Sequence, residues 1–171
     1  MKDKPERIQT ARLTLRPITD ADWPDMRAML YDERIKKTYM IPDFPTEEDA
    51  LRLFGRFRDL SQASGRFVYG AECQGRLMGF LNDVCRSDDA IEVGYVIHPD
   101  WQNRGLATEM LGAAIGALLD MGFHTVRAGF FEENNPSRRV MEKCGMRATG
   151  EVEEIEYRGI RHRCVYFEIR K

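Results

Sequence analysis

The chain has 171 residues, of which 43% are hydrophobic, enough to bury one substantial core, so a single domain over residues 1–171 is expected. Lysine and arginine total 26 against 28 aspartate and glutamate, which gives a formal net charge of −2. Nucleic-acid binding depends on clustered surplus positive charge, so this balance argues against nucleic acid as a partner. It indicates instead a well-solvated surface of mixed charge.

The four cysteines and three histidines follow no metal-binding or disulfide pattern. Neither a Cys-x-x-Cys pair nor a His-Glu-x-x-His motif occurs, so we expect no metal site. Scattered cysteines without a disulfide framework are typical of a reducing compartment. The first residues are charged and lead into no apolar secretion core, and no apolar run approaches the ~20 residues needed to span a bilayer. We therefore expect a cytoplasmic protein without a membrane partner.

The first third of the chain predicts one strand and two helices. Polar and apolar residues alternate over Arg12–Pro17, which indicates a strand ended by the proline. Thr19 or Asp20 can cap a helix that runs roughly over Ala21–Leu30. Two prolines and several aromatics then indicate an ordered loop over residues 31–45. A second helix begins at Thr46 with an acidic first turn. Its apolar residues recur at helical spacing, either as Leu51, Phe54 and Phe57 or as Phe54 and Leu60.

Three strand-like runs and the clearest helix follow. Phe67–Cys73 and Leu77–Val84 are joined by Gln-Gly-Arg, which is a hairpin signal. A further strand covers Ala90–His98 and is ended by a proline. The helix over Leu106–Met121 has an apolar stripe, and Gly122 is its predicted stop.

The remainder predicts a strand, a short helix and a closing hairpin. These cover Thr125–Phe131, Pro136–Lys143, and the pair Val152–Tyr157 and Cys164–Ile169 around Gly159. Mixed strands and helices in this order predict an α+β or mixed α/β fold with a central, largely antiparallel sheet flanked by helices. The crossover through the long helix should contribute one parallel strand pair.

The most informative segment joins the Ala90–His98 strand to the long helix. A helix start presents unpaired backbone N–H groups and a partial positive charge. Gly105 and Ala107 have little or no side chain, so a pyrophosphate can approach this backbone closely, and Arg104 adds charge beside it. Neither the Walker Gly-Lys-Ser/Thr nor the dinucleotide Gly-x-Gly-x-x-Gly occurs here. An ordinary strand-to-helix turn containing a glycine is the alternative.

This segment, Gln102-x-x-Gly105-x-Ala107, resembles the acyl-CoA pyrophosphate motif of the GNAT superfamily of N-acetyltransferases. The run Asn-Asn-Pro-Ser-Arg-Arg-Val-Met-Glu-Lys-Cys-Gly-Met, from Asn134 to Met146, is similar to a stretch of that superfamily in its ribosomal-protein N-terminal (alanine/serine) acetyltransferase branch. Thr10–Pro17 and the turn at 156–159 also resemble that branch. The resemblance touches nearly the whole chain and implies a GNAT-like domain with a splayed sheet.

The same resemblance implies that acetyl-CoA is the cofactor, with coenzyme A leaving as product, and that no metal takes part. The strand before the loop would pair through its freed backbone with the pantetheine arm, and the loop would hold the pyrophosphate. The residues expected to bind the cofactor are Val96, Ile97, Gln102, Asn103, Arg104, Gly105, Leu106, Ala107, Thr108, Asn134 and Ser137.

The implied chemistry is direct attack of a primary amine on the thioester in a ternary complex. Ser137 matches the serine that gives a proton to the leaving thiolate, although it could instead cap the short helix. Glu156 occupies the position of the branch's proposed general base, and a solvated acidic strand is the other explanation for it. Glu92, on the incoming strand, is a rival base. Cys144 is expected to pack as a small hydrophobe.

The acceptor is less well determined by the sequence. A protein N-terminal amine is implied by the branch, and a polyamine, an aminoglycoside or an amino acid is the alternative, as is a non-catalytic acyl-CoA-binding module. Two departures bear on this: Met146 stands where the branch usually has phenylalanine, and His162-Arg163 stands where many relatives carry an aspartate. Acidic residues 151–156 could attract a cationic amine.

The acceptor should enter between the early helices and the final hairpin, and the chain should act as a monomer or homodimer. The aromatics expected there, which could equally be core or lid packing, are Trp23, Tyr31, Tyr39, Phe44 and Tyr157.

Overall fold

In a computed structural model, which describes residues 2–171, one eight-stranded sheet is flanked by five helices. The strands are β1 (Ile8–Gln9), β2 (Thr14–Arg16), β3 (Tyr69–Cys73), β4 (Arg76–Arg86), β5 (Ala90–Ile97), β6 (Thr125–Phe131), β7 (Arg147–Tyr157) and β8 (Ile160–Arg170). The helices are α1 (Trp23–Leu30), α2 (Glu33–Lys36), α3 (Glu47–Gln62), α4 (Leu106–Met121) and α5 (Asn135–Lys143).

The sheet has the strand order β1-β2-β3-β4-β5-β6-β8-β7. All neighbouring strands are antiparallel except β5 and β6, which are parallel and are joined by the crossover through α4. The predicted mixed fold, with a largely antiparallel sheet and one parallel pair, is therefore confirmed.

The sheet splays at its parallel pair. Ala90–Glu92 of β5 pairs with Thr125–Arg127 of β6, and beyond these residues the two strands separate. The rest of β5 continues to pair with β4, while β6 continues along β8 as far as Phe131. A gap between β5 and β6, called the splay below, consequently opens in the middle of the sheet, at the end where β5 leads into α4.

Each face of the sheet carries its own hydrophobic core. The first core lies under α4 and α5 and includes Met110 and Leu118 of α4. The second lies under the three earlier helices and includes Met29, Ile35 and Phe54. The side chains of β5 alternate between the two faces, so this strand contributes to both cores.

Most predicted elements are confirmed, with local corrections. The loop predicted over residues 31–45 contains the one-turn helix α2, capped by the side chain of Asp32. Thr46 forms a capping box with Asp49, as the acidic start of that helix indicated. Leu51, however, is 43% exposed, so the apolar face of α3 lies along Phe54 and not along Leu51. Gly122 ends α4 with a φ of 110°, a left-handed conformation that suits glycine.

None of the helices within residues 2–171 is both long and apolar enough to cross a membrane.

Candidate active site

The loop before α4 has the geometry of an anion site. Gly105 is the N-cap residue of α4, with a φ of 76°, a left-handed conformation that favours glycine. The first helical hydrogen bond runs from the Glu109 amide to the Gly105 carbonyl, at 3.1 Å. The amides of Leu106, Ala107 and Thr108 come before that bond and so are the open donors of a helix start. The predicted pyrophosphate loop is therefore at the start of the long helix, as expected.

Neighbouring side chains hold this loop in place. The side-chain amide of Gln102 donates to the Ile97 carbonyl at 3.1 Å, which ties the loop to the end of β5. The Arg104 guanidinium donates to the Asp100 carbonyl at 3.0 Å. Asn103 adopts a φ of 59°, which continues the tight turn. Gln102, Asn103, Arg104 and Gly105 are all exposed, so a ligand can reach them.

A second clamp joins the loop to the start of the chain. Arg12 donates to the Arg104 carbonyl at 2.8 Å and forms an ion pair with Glu109 at 2.7 Å. Thr10 also donates to Glu109, at 2.6 Å. The β1–β2 turn is thus fastened to the first turn of α4.

The backbone of β5 that faces the splay belongs to Tyr95 and Ile97. The His98 amide bonds to the Met78 carbonyl of β4 at 2.8 Å, and the Val96 carbonyl lies against Gly79 of β4. Backbone groups of successive residues point to opposite sides of a strand, so those of residues 95 and 97 face the gap. Of the two residues predicted to pair with the pantetheine arm, Ile97 has this placement, whereas the backbone of Val96 is directed to β4.

The start of α5 brings two further hydroxyl groups together. The side chain of Asn134 caps α5 by accepting from the Ser137 amide at 3.2 Å, so Ser137 is not the cap. The Ser137 hydroxyl instead lies 2.8 Å from the Tyr95 hydroxyl. Burial raises the pKa of the Tyr95 hydroxyl well above its usual range. This pair spans the gap from β5 to α5.

Cys144 belongs to the packing between α4 and α5. Its thiol contacts the Thr108 carbonyl at 3.4 Å, and burial raises its pKa to about 11. A thiol that stays protonated in this way is not a nucleophile, which agrees with its predicted packing role.

A cleft of about 590 Å³ opens on the opposite face of the sheet. It lies between α3, the loop over residues 38–42 and strands β4 to β8. On its floor it crosses the splay, with Gly94 on β5 and Gly129 on β6. A β-carbon at Gly94 would lie about 3 Å from the Tyr39 side chain, and one at Gly129 would lie about 3 Å from the Tyr166 ring. The two tyrosine side chains can therefore occupy these positions only because the facing residues are glycines.

Glu92 lies in this cleft, in a cluster of charges. Its side chain is 16% exposed, and its carboxylate is 3.5 Å from Nε of Arg127, an ion-pair contact without hydrogen-bond geometry. Burial raises the pKa of Glu92, Arg127 lowers it in part, and Glu153 and Glu151 raise it further. The same guanidinium bonds to Glu151 at 2.7 Å and lies 3.9 Å from the centre of the Tyr166 ring. Two carboxylates, those of Glu92 and Glu151, thus share one cation.

The acidic strand β7 divides between two faces. Glu153 and Ile155 line the cleft, and the Tyr166 hydroxyl donates to Glu153 at 2.5 Å. Side chains alternate along a strand, so Glu154 and Glu156 point the other way. Glu156 is exposed and does not line the cleft, because it is one residue out of phase with Glu153 and Ile155. The structure therefore places Glu156 outside the cleft that holds Glu92.

Of the five predicted acceptor-contacting aromatics, Tyr39 lines the cleft, and its hydroxyl donates to Asn82 at 2.6 Å. Trp23 packs against Phe54, with ring centres 5.3 Å apart, and Tyr31 packs against Phe44 at 5.6 Å. The Tyr157 hydroxyl donates to the Ile41 carbonyl at 2.9 Å.

These four aromatics therefore hold the loop and helices that cover the cleft. The packing alternative applies to them, and direct acceptor contact is a prediction for Tyr39 alone.

His162, part of one of the two departures from the branch pattern, lies beside Phe131, a residue that lines the cleft. Its ring stacks on Phe131 at 4.2 Å and its Nδ1 is 2.7 Å from a Glu133 carboxylate oxygen. Its position is fixed by these two contacts.

Several site residues were missed from the sequence, namely Tyr95, Arg127, Tyr166, Gly94 and Gly129, whereas Glu153 belongs to the acidic stretch 151–156 that was expected to attract a cationic amine. Tyr95 stands inside a regular strand, where a tyrosine is ordinarily a packing residue, and so carries no local signal. The other missed residues come from β5, β6 and β8 and meet only through strand pairing. Within residues 2–171, no group of three or more His, Cys, Asp or Glu side chains is placed to hold a metal ion.

A sheet that splays in the middle, with a helix-start anion site on one face and a cleft on the other, is the architecture expected of an acyltransferase that uses a coenzyme A thioester. A family model described as an acetyltransferase (GNAT) domain matches residues 12–147, and the chain belongs to this family. It is an acetyl-CoA-dependent N-acetyltransferase.

The chain is also similar to a curated sequence relative and to solved structures. The chain is 31% identical over 149 residues to the uncharacterized N-acetyltransferase YnaD of Bacillus subtilis (strain 168), with 84% of each chain covered. A GNAT-family acetyltransferase from Bacillus anthracis superposes with a TM-score of 0.82 at 26% identity, covering 96% of this chain and 98% of that one. RimL, a ribosomal alpha-N-protein acetyltransferase in complex with coenzyme A, superposes with a TM-score of 0.81 at 17% identity, covering 99% and 98%. The likeness to RimL is one of fold.

Proposed function

We propose that this chain works as a single domain that transfers the acetyl group of acetyl-CoA to a protein N-terminal amine, by direct attack in a ternary complex. The cofactor binds from the face of α4 and α5, and the acceptor binds in the cleft on the other face. The observation that carries the proposal is the position of the cleft. It extends over the splay, where the backbone of β5 no longer pairs with β6. The two substrates would therefore meet through the sheet.

On the cofactor face, the open amides at the start of α4 would bind the pyrophosphate, with Arg104 beside them. The freed backbone of Tyr95 and Ile97 would pair with the pantetheine arm. An N–H on this edge would also face the thioester oxygen, where negative charge develops during attack. Ser137 would give its proton to the sulfur as the carbon–sulfur bond breaks.

On the acceptor face, Glu92 is our candidate for the general base. It lies in the cleft, is largely buried and has a raised pKa, all of which suit a carboxylate that accepts a proton. The predicted rival, Glu156, is exposed outside the cleft. Glu92 and Glu153, which both line the cleft, would attract a cationic amine before it loses its proton.

The chemistry of the amine favours a protein N-terminus over a polyamine or a lysine side chain. An α-amino group has an ordinary pKa of about 7.7–8.0, compared with about 10.4 for a lysine amine. A carboxylate base deprotonates the less basic amine more readily near neutral pH, because the proton transfer is less uphill. The similarity of the sequence to the N-terminal acetyltransferase branch and the fold shared with RimL support the same acceptor class.

An acceptor screen that detects free coenzyme A thiol tests the proposal. It would compare peptides that begin with a free serine or alanine, the same peptides with a blocked N-terminus and an internal lysine, spermidine and an aminoglycoside. We expect turnover with the free N-termini and little with the blocked peptides. Turnover confined to spermidine or the aminoglycoside would overturn the acceptor class. Tight acetyl-CoA binding without turnover on any acceptor would instead indicate a sensor of the cofactor.

A further inference from the structure

The side chains of Tyr95 and Ser137 form a hydrogen bond at the splay. The mechanism above uses Ser137 but gives no role to Tyr95 or to this hydrogen bond. The two hydroxyl oxygens are 2.8 Å apart, and the Tyr95 hydroxyl is also 3.5 Å from the Ser137 carbonyl. Both side chains are partly buried. The contact joins β5 to α5, the two elements between which the reactive end of the cofactor is expected to lie.

Both partners are fixed independently of this contact. Tyr95 is on the face of β5 that packs against the first core, under α4 and α5. Ser137 is held by the hydrogen bond from its own amide to the Asn134 side chain. A hydroxyl has one hydrogen, so a serine that accepts from a tyrosine keeps its own hydrogen free for a third group.

We propose that Tyr95 is a positioning residue that acts through Ser137: its hydroxyl donates to the serine oxygen, directs the serine hydrogen to the cofactor's sulfur and completes a proton relay to the leaving thiolate. The inference deepens the proposed role of Ser137 and rests on it.

The relay balances as follows. The amine nitrogen forms a bond to the thioester carbon, the carbon–sulfur bond breaks, and its electron pair goes to sulfur. Sulfur takes the hydrogen of Ser137 while Ser137 takes the hydrogen of Tyr95. The proton that the amine loses goes to Glu92 and then to solvent. When the products leave, Tyr95 takes a proton from solvent through Ser137, which balances the proton that Glu92 released to solvent and returns the enzyme to its starting state.

The relay explains how serine, which is a very weak acid, can give its hydrogen to the thiolate. A serine hydroxyl that gives up its hydrogen alone would be left as an alkoxide, which is a very strong base. A tyrosine hydroxyl is a stronger acid than a serine hydroxyl and can replace that hydrogen. Burial raises the pKa of Tyr95, so it remains protonated, and available as a donor, at neutral pH.

A double-mutant cycle separates a relay from a contact that only stabilises the fold. With a peptide acceptor from the screen, we expect Ser137→Ala to lower kcat about 100-fold and Tyr95→Phe about 10-fold or more. In the Ser137→Ala background, Tyr95→Phe should have no further effect on kcat, because Tyr95 acts through the serine. Tyr69→Phe is the matched control, since it also removes a buried tyrosine hydroxyl, one that bonds to the Pro5 carbonyl away from the splay.

A second measurement needs no acceptor. The thiol of bound coenzyme A is titrated by its ultraviolet thiolate absorbance, in the wild type and in each variant. A serine that donates to sulfur lowers the pKa of the thiol, and a tyrosine behind it strengthens that donation. We therefore expect the thiol pKa to rise in Tyr95→Phe and in Ser137→Ala, and to stay unchanged in Tyr69→Phe.

The possible outcomes distinguish failure of the Tyr95 relay from failure of the proposed role of Ser137 as proton donor. If Ser137→Ala lowers kcat but Tyr95→Phe changes neither kcat nor the thiol pKa, the relay is wrong and the serine acts alone. Independent losses that multiply in the double variant would also overturn it. If Ser137→Ala leaves kcat and the thiol pKa unchanged, it is the proposed role of the serine that fails.

Discussion

The face of the sheet that carries the proposed pyrophosphate loop and the face that carries the cleft are built from different spans of sequence. The loop face uses a nearly continuous run, from the end of β5 through the first turn of α4, and would bind the cofactor largely through backbone N–H groups. The cleft face draws side chains from α3, the loop over residues 38–42 and strands β4 to β8. Backbone sites of the first kind tolerate changes of side chain, whereas sites assembled from dispersed side chains can change with single substitutions. We therefore expect the cofactor to be the fixed feature of this enzyme and the acceptor the adjustable one.

The largest expected effect is on the loop face. Gly105→Glu should abolish acetyl-CoA binding, because it places a carboxylate against the pyrophosphate and a β-carbon on a backbone with a φ of 76°. Calorimetry measures the binding. Gly116→Glu is the matched control, since Gly116 is an exposed position farther along the same helix with open space around it. Equal affinity in the two variants would contradict the assignment of the loop.

The second effect concerns the support of the cleft face. Arg16 bonds to Asp22 through two contacts of 2.8 Å, at the start of α1, and the pair is largely buried. Asp22→Asn should lower the free energy of unfolding by about 3 kcal/mol, because it leaves a buried cation short of a partner. Chemical denaturation measures this. Glu47→Gln, which breaks the exposed Arg27–Glu47 pair, should cost less than about 1 kcal/mol.

The same pair predicts a pH dependence of stability. Burial would raise the pKa of Asp22, but hydrogen bonds from Arg16 and Thr19 outweigh it and hold the pKa below its ordinary value of 3.8. A carboxyl with a depressed folded pKa adds stability that is fully present above the unfolded value. That contribution should therefore be lost as the pH falls below about 3.8, and Asp22→Asn should flatten this part of the profile. An unchanged profile would contradict it.

The third effect tests the base on the cleft face. Glu92→Gln should lower kcat about 100-fold near neutral pH while acetyl-CoA affinity stays unchanged. Because Glu92 has a raised pKa and must be ionised to act, wild-type activity should fall as the pH drops through that pKa. The variant should recover part of its activity in alkaline buffer, where the amine is already neutral. Glu156→Gln is measured beside it, and a larger loss there would reverse the assignment of the base.

The smallest expected effect tests whether Glu153 attracts the acceptor amine or takes part in the chemical step. Glu153→Gln removes a carboxylate of the cleft that Tyr166 holds at 2.5 Å. We expect the KM for a peptide acceptor to rise up to about 10-fold with kcat nearly unchanged, and added salt to reduce the difference. Glu154→Gln, on the opposite face of the same strand, is the control. A loss of kcat without a change in KM would place Glu153 in the chemistry instead.

The same contrast between the faces explains what could be predicted from the sequence. The loop around Gly105, the long helix and its stop at Gly122 follow from local rules for helix ends, and all were predicted. The choice between Glu92 and Glu156 was not, because it depends on the phase of β7 relative to the cleft. That phase is set by pairing with β8 across an irregular register between Ala148 and Val152, which spacing along one strand does not reveal.

Tyr95 illustrates a different limit. Its backbone faces the splay while its side chain reaches α5, so one residue of a regular strand serves two purposes at once. Alternation of residues identifies the face of a strand, but the pattern of hydrogen bonding to the neighbouring strand identifies the edge. Only the structure shows that residues 95 and 97, and not 96, present their backbone to the gap.

The splay also has a consequence for the behaviour of the protein without its cofactor. A sheet whose central strands part after three paired residues has a seam with fewer interstrand bonds than the rest. A cofactor arm that pairs with Tyr95 and Ile97 would close this seam in the manner of an added strand. Their amide hydrogens should therefore exchange quickly in the free protein and slowly with coenzyme A bound. Saturation at 100 times the dissociation constant would stabilise the whole chain by about 2.7 kcal/mol, so supply of the cofactor would also govern how long the folded enzyme persists in a cell.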